Sequence, residues 1–289
     1  MATTTTTLAE FINAAMLKAV DDDIANHLFF PGAPLAGMIK MADLTGENAV
    51  AAKFSKYNAL TSSQMTEGTD YTSFQDLDPS ATTITSAEHG TQSEVTTRAW
   101  NAIQSPNARA SYAQDIARNH MAAIMTEYDV AILTLLQSLD TTKGSTGSDL
   151  TNAIVLTAVD AAAKANMPQP WVGLLHPEQY SNLITEGSSA WVNAAASAQV
   201  GAEVWRNYFV GQVYGVRWYV NTNVPTANAG ADRGGGIISP ACFGAVWSLM
   251  PKTSTEFDQS KRADEVQTIC EWGVAEIDGT MGIALTTDA

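Results

Sequence analysis

"SSQMTEGTDYTSFQDLDPSATTITS", residues 62–86, is the stretch on which the reading of this chain turns. Its large apolar side chains are Met65, Tyr71, Phe74, Leu77 and Ile84; small and polar residues fill the rest. Such sparse anchors build no core, and compact domains rarely carry so long a stretch with no structure of its own. The segments on either side are β-prone. In "ENAVAAKFSKYNAL", 47–60, the run Lys53, Phe54, Ser55, Lys56, Tyr57 alternates as in a strand, and "TTITSAEHGTQSEVTT", 82–97, is rich in Thr. The expected layout is a long two-stranded excursion with a polar tip. A lone ribbon is marginal in water, so it needs a surface to lie on, either the body of its own chain or a neighbour.

Upstream, residues 1–7 are a Thr-rich tail. Residues 8–20 place Leu8, Phe11, Ile12, Ala15, Met16 and Ala19 on one face of a short amphipathic helix. Asp21 to Asp23 and "FFPGAP" close it, with Phe29 and Phe30 as anchors of an extended segment.

Downstream the period changes. In "SPNARASYAQDIARNHMAAIMTEYDVAILTLLQSL", Ser105 stands at an N-cap position and Pro106 at the first helical one. Tyr112, Ile116, His120, Ile124, Tyr128, Ala131, Leu135 and Leu139 recur every three or four residues. The spacing predicts a helix over about 106–139, roughly 50 Å long at ~1.5 Å per residue, with His120 as a hydrogen-bonded structural residue. A second helix is expected over 150–165, stopped by Asn166 and Pro168. "PWVGLL" reads as a buried strand, "HPEQYSNLI" as a helix with Pro177 in its first turn, and 190–209 as a further helix carrying Trp191, Val204, Trp205 and Phe209. "GQVYGVRWYVNTNVP" reads as a strand, "NAGADRGGG" as a loop, and "IISPACFGAVWSLM", "TSTEFDQ", "EVQTICEWGVAEID" and "GIALTT" as strands. Helices and strands mixed in this way place the chain in the α+β class.

The 289 residues suffice for one large domain or two modest ones. Only 16% are charged, below the usual quarter, and a surface of small polar residues suits packing against other chains. The net charge of −15 argues against gripping nucleic acid or anionic lipid. The start "MATTTTTLAEFINAAMLKAV" lacks the basic and continuous apolar regions of a signal peptide, and no segment approaches the ~20 apolar residues of a membrane span. A cytosolic product is expected, with Cys242 and Cys270 as buried thiols.

Catalytic constellations are thin. His176 and Glu178 together with Cys242 are reminiscent of zinc deaminases, in which His and Cys ligands hold the metal and a Glu moves protons. Here Cys242 follows Ala241 rather than Pro240, and no second Cys stands three residues on. The simpler reading makes His176 a helix cap. Gly234, Gly235 and Gly236 open no phosphate-binding helix. No cofactor, metal or catalytic residue is expected.

The order of elements carries more than any motif. An amphipathic arm, a polar ribbon, a very long helix, a compact helix–strand region and closing strands together resemble the major capsid proteins of tailed bacteriophages with the Hong Kong 97-like fold. "LTNAIVLTAVDAAAKANMPQPWVGLLHPEQYSNLI", "GQVYGVRWYVNTNVP" and "CEWGVAEIDGTMGIAL" carry the likeness locally. The resemblance implies an N-terminal arm over 1–45, an extended loop over 46–100, a peripheral domain with a spine helix over 101–148, an axial domain over 149–250 and return strands over 251–289. It implies a coat subunit of an icosahedral virion, assembled in the host cytoplasm as hexamers and pentamers around DNA that it does not bind specifically. Portal, scaffold and decoration proteins are the implied partners. The residues expected between subunits are Phe11, Met16, Phe29, Phe30, Met65, Tyr71, Phe74 and Leu77. Crosslinking through Lys53 or Lys56 is not expected, since both lie near the ribbon's base. The alternatives are an encapsulin-type shell around an enzyme cargo and, from another class, a zinc hydrolase.

Overall fold

The computed structural model describes residues 39–47, 49–57, 60–68, 70, 75–76, 79–103, 105–186 and 209–288. Two sheets meet around one long helix, and a separate ribbon packs against the smaller sheet. The ribbon pairs β2 (Ala51–Tyr57) with β3 (Pro79–Thr85). One sheet has the order β1–β11–β12–β4, built on the long hairpin of β11 (Phe243–Asp258) and β12 (Ala263–Glu276). The strand β4 (Ala87–Thr96) lies antiparallel to β12, and β1 (Lys40–Asp43) lies parallel to β11. The larger sheet runs β5–β13–β10–β6–β8–β7, with β9 (Thr226–Ala227) beside β10. Its members are β5 (Thr141–Lys143), β6 (Trp171–Leu175), β7 (Phe209–Val213), β8 (Val216–Val220), β10 (Asp232–Ile238) and β13 (Gly282–Asp288).

A short helix α1 (Thr97–Ala102) leads to α2 (Pro106–Thr134). The expected long helix is present, about 44 Å at ~1.5 Å per residue, but it ends early: Leu135–Ser138 tighten into a 3-10 turn, a common helix ending. Ser105 has the extended backbone of an N-cap without a side-chain capping bond. The buried face is Ala113, Ile116, Ala117, His120, Met121, Ile124, Tyr128 and Ile132, the i, i+3, i+4 spacing of a helix on a sheet. Tyr112 lies outside that face, exposed. His120 is the structural residue expected: Nε2 lies 2.8 Å from Ser93 Oγ and Nδ1 3.0 Å from Thr268 Oγ1. The C-terminal half of α2, through Ile124, Tyr128, Ile132 and Leu133, and Leu136 of the 3-10 turn share a core with Trp247 and Trp272 of the smaller sheet and Val172, Leu174 and Ile238 of the larger.

The second core lies under α3 (Asn152–Lys164) and α4 (Pro177–Thr185), where Val155, Ala158, Ala162 and Leu183 meet Trp218, Ile237 and Leu285. Asn166 ends α3 as expected: at φ 51° it takes the left-handed position, its N–H reaching Ala163 O and that of Met167 reaching Ala162 O.

Three expectations are corrected. The segment 82–97 is not one arm of the ribbon. It breaks at Ser86, and β4 joins β12 in the sheet instead. "GQVYGVRWYVNTNVP" is a hairpin, not one strand, turning at Tyr214 (φ 54°) and Gly215 (φ 79°), the conformation that suits strand twist. Gly234, Gly235 and Gly236 are not a loop. They lie within β10, where a Cβ on Gly235 would stand 2.6 Å from Leu174 O and 2.7 Å from Gln179 Oε1. The missing side chains let Gln179 of α4 sink into the sheet, where its Nε2 donates to Arg233 O, Leu285 O and Thr287 Oγ1. Of the helix expected over 190–209, Phe209 opens β7 and the remainder lies outside the described residues.

Candidate assembly interface

The ribbon has a docked root and, among the described residues, a solvent-exposed outer part. At the root, Ile84 is buried against Val246 and Ile277, with Ala52 and Phe54 packed beside them. Alternation along β2 makes this possible: Ala52 and Phe54 face the body while Lys53 and Ser55 face water. The backbone comes close as well. A Cβ on Gly273 of β12 would stand 2.3 Å from Thr85 O. Ser86 N donates to Val50 O at 2.8 Å, and Ser248 Oγ of β11 lies 2.6 Å from Ser86 Oγ. Further out, Lys56 Nζ lies 2.6 Å from Asp278 Oδ2. Burial pushes the Asp278 carboxyl up, but bonds from Lys56 and Thr280 outweigh it and hold it below the usual carboxylate range. Lys56 is thus engaged within its own chain.

Beyond Lys56 large apolar side chains among the described residues face solvent. Tyr57 is 58% exposed, Leu60 56% and Met65 69%. Gln75 closes the tip, its Oε1 accepting from Thr61 N at 2.8 Å and its Nε2 donating to Thr61 O at 2.6 Å. Among the described residues β2 and β3 pair only with each other, leaving both outer edges with free backbone donors and acceptors. An exposed edge with apolar side chains invites another chain. Of the residues expected between subunits, Met65 is exposed at the tip, whereas Phe11, Met16, Phe29, Phe30, Tyr71, Phe74 and Leu77 lie outside the described residues. Tyr57 and Leu60 are exposed as well; Tyr57 lies on the water-facing side of β2 with Lys53 and Ser55.

The zinc reading fails on geometry. His176 caps α4, Nδ1 accepting from Glu178 N at 3.3 Å, and Glu178 Oε2 accepts from Arg233 Nε at 2.8 Å. These groups stand at the start of β10. Cys242 follows its other end, buried in the first core, where burial drives its thiol far above the usual range. Cys270 is also buried, and its thiol is pushed up to about 11. Among the described residues no group of three or more His, Cys, Asp or Glu is placed to hold a metal, and no helix is long and apolar enough to cross a membrane.

No protein-family model and no curated protein sequence matches the chain. Solved structures do. The cyanophage Pam1 capsid asymmetric unit superposes with a TM-score of 0.66 at 13% identity, over 87% of this chain and 88% of that one. A chain of Mycobacterium phage Che8 gives 0.61 at 19% identity, over 82% and 85%. The virus-like particle from Pyrococcus furiosus gives 0.55 at 12% identity, over 96% and 98%. The chain therefore has the Hong Kong 97-like fold that its element order resembles.

Proposed function

We propose that this chain is the major capsid protein of a tailed bacteriophage, a structural subunit that self-assembles into an icosahedral head around the genome. The observation that carries the reading is the ribbon. Its root is fixed to its own chain, and its tip presents Tyr57, Leu60 and Met65 to solvent on a fold held in common with capsid subunits. A contact of ordinary size buries ~1,600 Å² in total, and several per subunit supply the free energy to order segments that cannot bury themselves alone. The N-terminal arm, with Phe11, Met16, Phe29 and Phe30, and the ribbon residues Tyr71, Phe74 and Leu77 add to those contacts. Hexamers and pentamers are the expected capsomers, built in the host cytoplasm, with portal, scaffold and decoration proteins as partners. The net charge of −15 keeps a packaged polyanion from adhering. Electron microscopy of the expressed protein tests the proposal: closed particles are expected, and a monodisperse monomer under all assembly conditions overturns it.

The match to a virus-like particle over 96% of this chain supports a second reading, a shell around an enzyme cargo. Nuclease-protected nucleic acid inside the native particles favours the first reading; a co-purifying enzyme without nucleic acid favours the second.

A further inference from the structure

Two aspartates stand opposite each other at one end of the larger sheet. Asp232 opens β10 and Asp288 lies near the end of β13, and the two are direct partners in the antiparallel register. Directly opposed residues project from the same face, with their Cβ atoms ~5 Å apart. Asp232 is fully buried. Its Oδ1 accepts from Gly147 N at 3.1 Å, which sets the carboxyl against the loop 144–148. The same loop supplies the Ser148 carbonyl to Asp288 N at 2.8 Å. Asp232 Oδ2 is sealed from solvent and has no hydrogen-bond partner among the described residues. The adjacent cation does not help, because Arg233 projects from the opposite face and pairs with Glu178.

A buried carboxylate oxygen without a partner is costly. One bound cation supplies the partner that Asp232 Oδ2 lacks. We propose that Asp232 and Asp288, with carbonyl oxygens of the loop 144–148, form a calcium site. The donors are all oxygen, which selects a hard cation. Two carboxylates with loop carbonyls suit the adaptable shell of calcium better than the strict octahedron of magnesium. The small charge of the site places its Kd at the weak end of the calcium range, ~10⁻⁴–10⁻³ M. Residues 144–148 are exposed, so displacement of the loop admits the ion. Its role is to fasten that loop to the β10–β13 end of the sheet.

Calorimetric titration of the full-length, unassembled protein with calcium chloride, with thermal melts in parallel, tests this. One ion per chain is expected, with a rise in Tm that magnesium at equal concentration does not match, and at least tenfold weaker binding in Asp232→Asn and in Asp288→Asn. If Asp232→Asn does not fold, Asp288→Asn decides, since it retains the buried residue. Absence of saturable binding up to about ten times the upper Kd of ~10⁻³ M overturns the proposal. Equal binding by wild type and variants overturns it too, since the ion then sits on surface carboxylates.

Discussion

Asp129 sits on the sheet-facing side of α2, only 5% exposed. Its Oδ2 accepts from Asn221 Nδ2 at 2.6 Å and from Asn223 Nδ2 at 3.3 Å, tying the long helix to the segment that follows β8. Burial raises its pKa from 3.8 to about 6, against the lowering effect of the two amides. The folded value exceeds the unfolded one, so the folded state holds more protons between those limits. The contribution of Asp129 to stability therefore grows as pH falls from about 6 toward 4, and at neutral pH the charged group costs about 3 kcal/mol. Urea unfolding of the dilute subunit at pH 7 and pH 5 checks this: the wild type gains more stability on acidification than Asp129→Asn does. Gly273 gives a steric prediction at the same scale. In Gly273→Ala the new methyl meets Thr85 O, a backbone atom that cannot rotate away. A loss of about 1–3 kcal/mol is expected, read as a lower urea midpoint with faster hydrogen exchange in 79–86.

The ribbon is the element whose two halves are held differently, and two variants separate them. Ile84→Ala removes the anchor of the root and should cost about 2–4 kcal/mol, as truncation of a buried Ile does. Lys56→Ala breaks a half-exposed ion pair and should change global stability by about 1 kcal/mol or less, yet speed exchange across 51–57 and 79–85. At this scale the sequence is legible where contacts are local. The helical period laid out α2, and Asn166 marked the end of α3. It is illegible where a partner lies far along the chain. Nothing in 82–97 separates β3 from β4, because the break at Ser86 is set by which strand β12 captures. The glycines of β10 read as a loop because their role is to be absent, leaving room for Gln179. The candidate site divides in the same way. Met65 is conspicuous as an apolar residue among polar ones, whereas Val246 and Ile277, which seat the root, become visible only once the sheet exists.

For the whole molecule, the proposed function requires that folding and assembly be separable. Leu60→Asp combined with Met65→Asp places charge on surface already exposed to water, so the subunit should keep its circular dichroism and melting point. Sedimentation velocity should then show loss of large particles. Large particles persisting unchanged would remove the tip from the assembly contact. Fold and interface respond to different residues here because the first is fixed by the buried clusters and the second by what those clusters leave outside.

The position of β13 has a consequence for synthesis. The strand lies between β10 and β5 yet is made after both, so a nascent polypeptide exposes two unsatisfied flanks in the middle of its larger sheet until residues 282–288 have left the ribosome. Closure is thereby a late event, and truncation before Gly282 yields two sticky borders rather than a subunit one strand short. Chains translated side by side thus cannot begin to build on one another as finished subunits before β13 of each has been made.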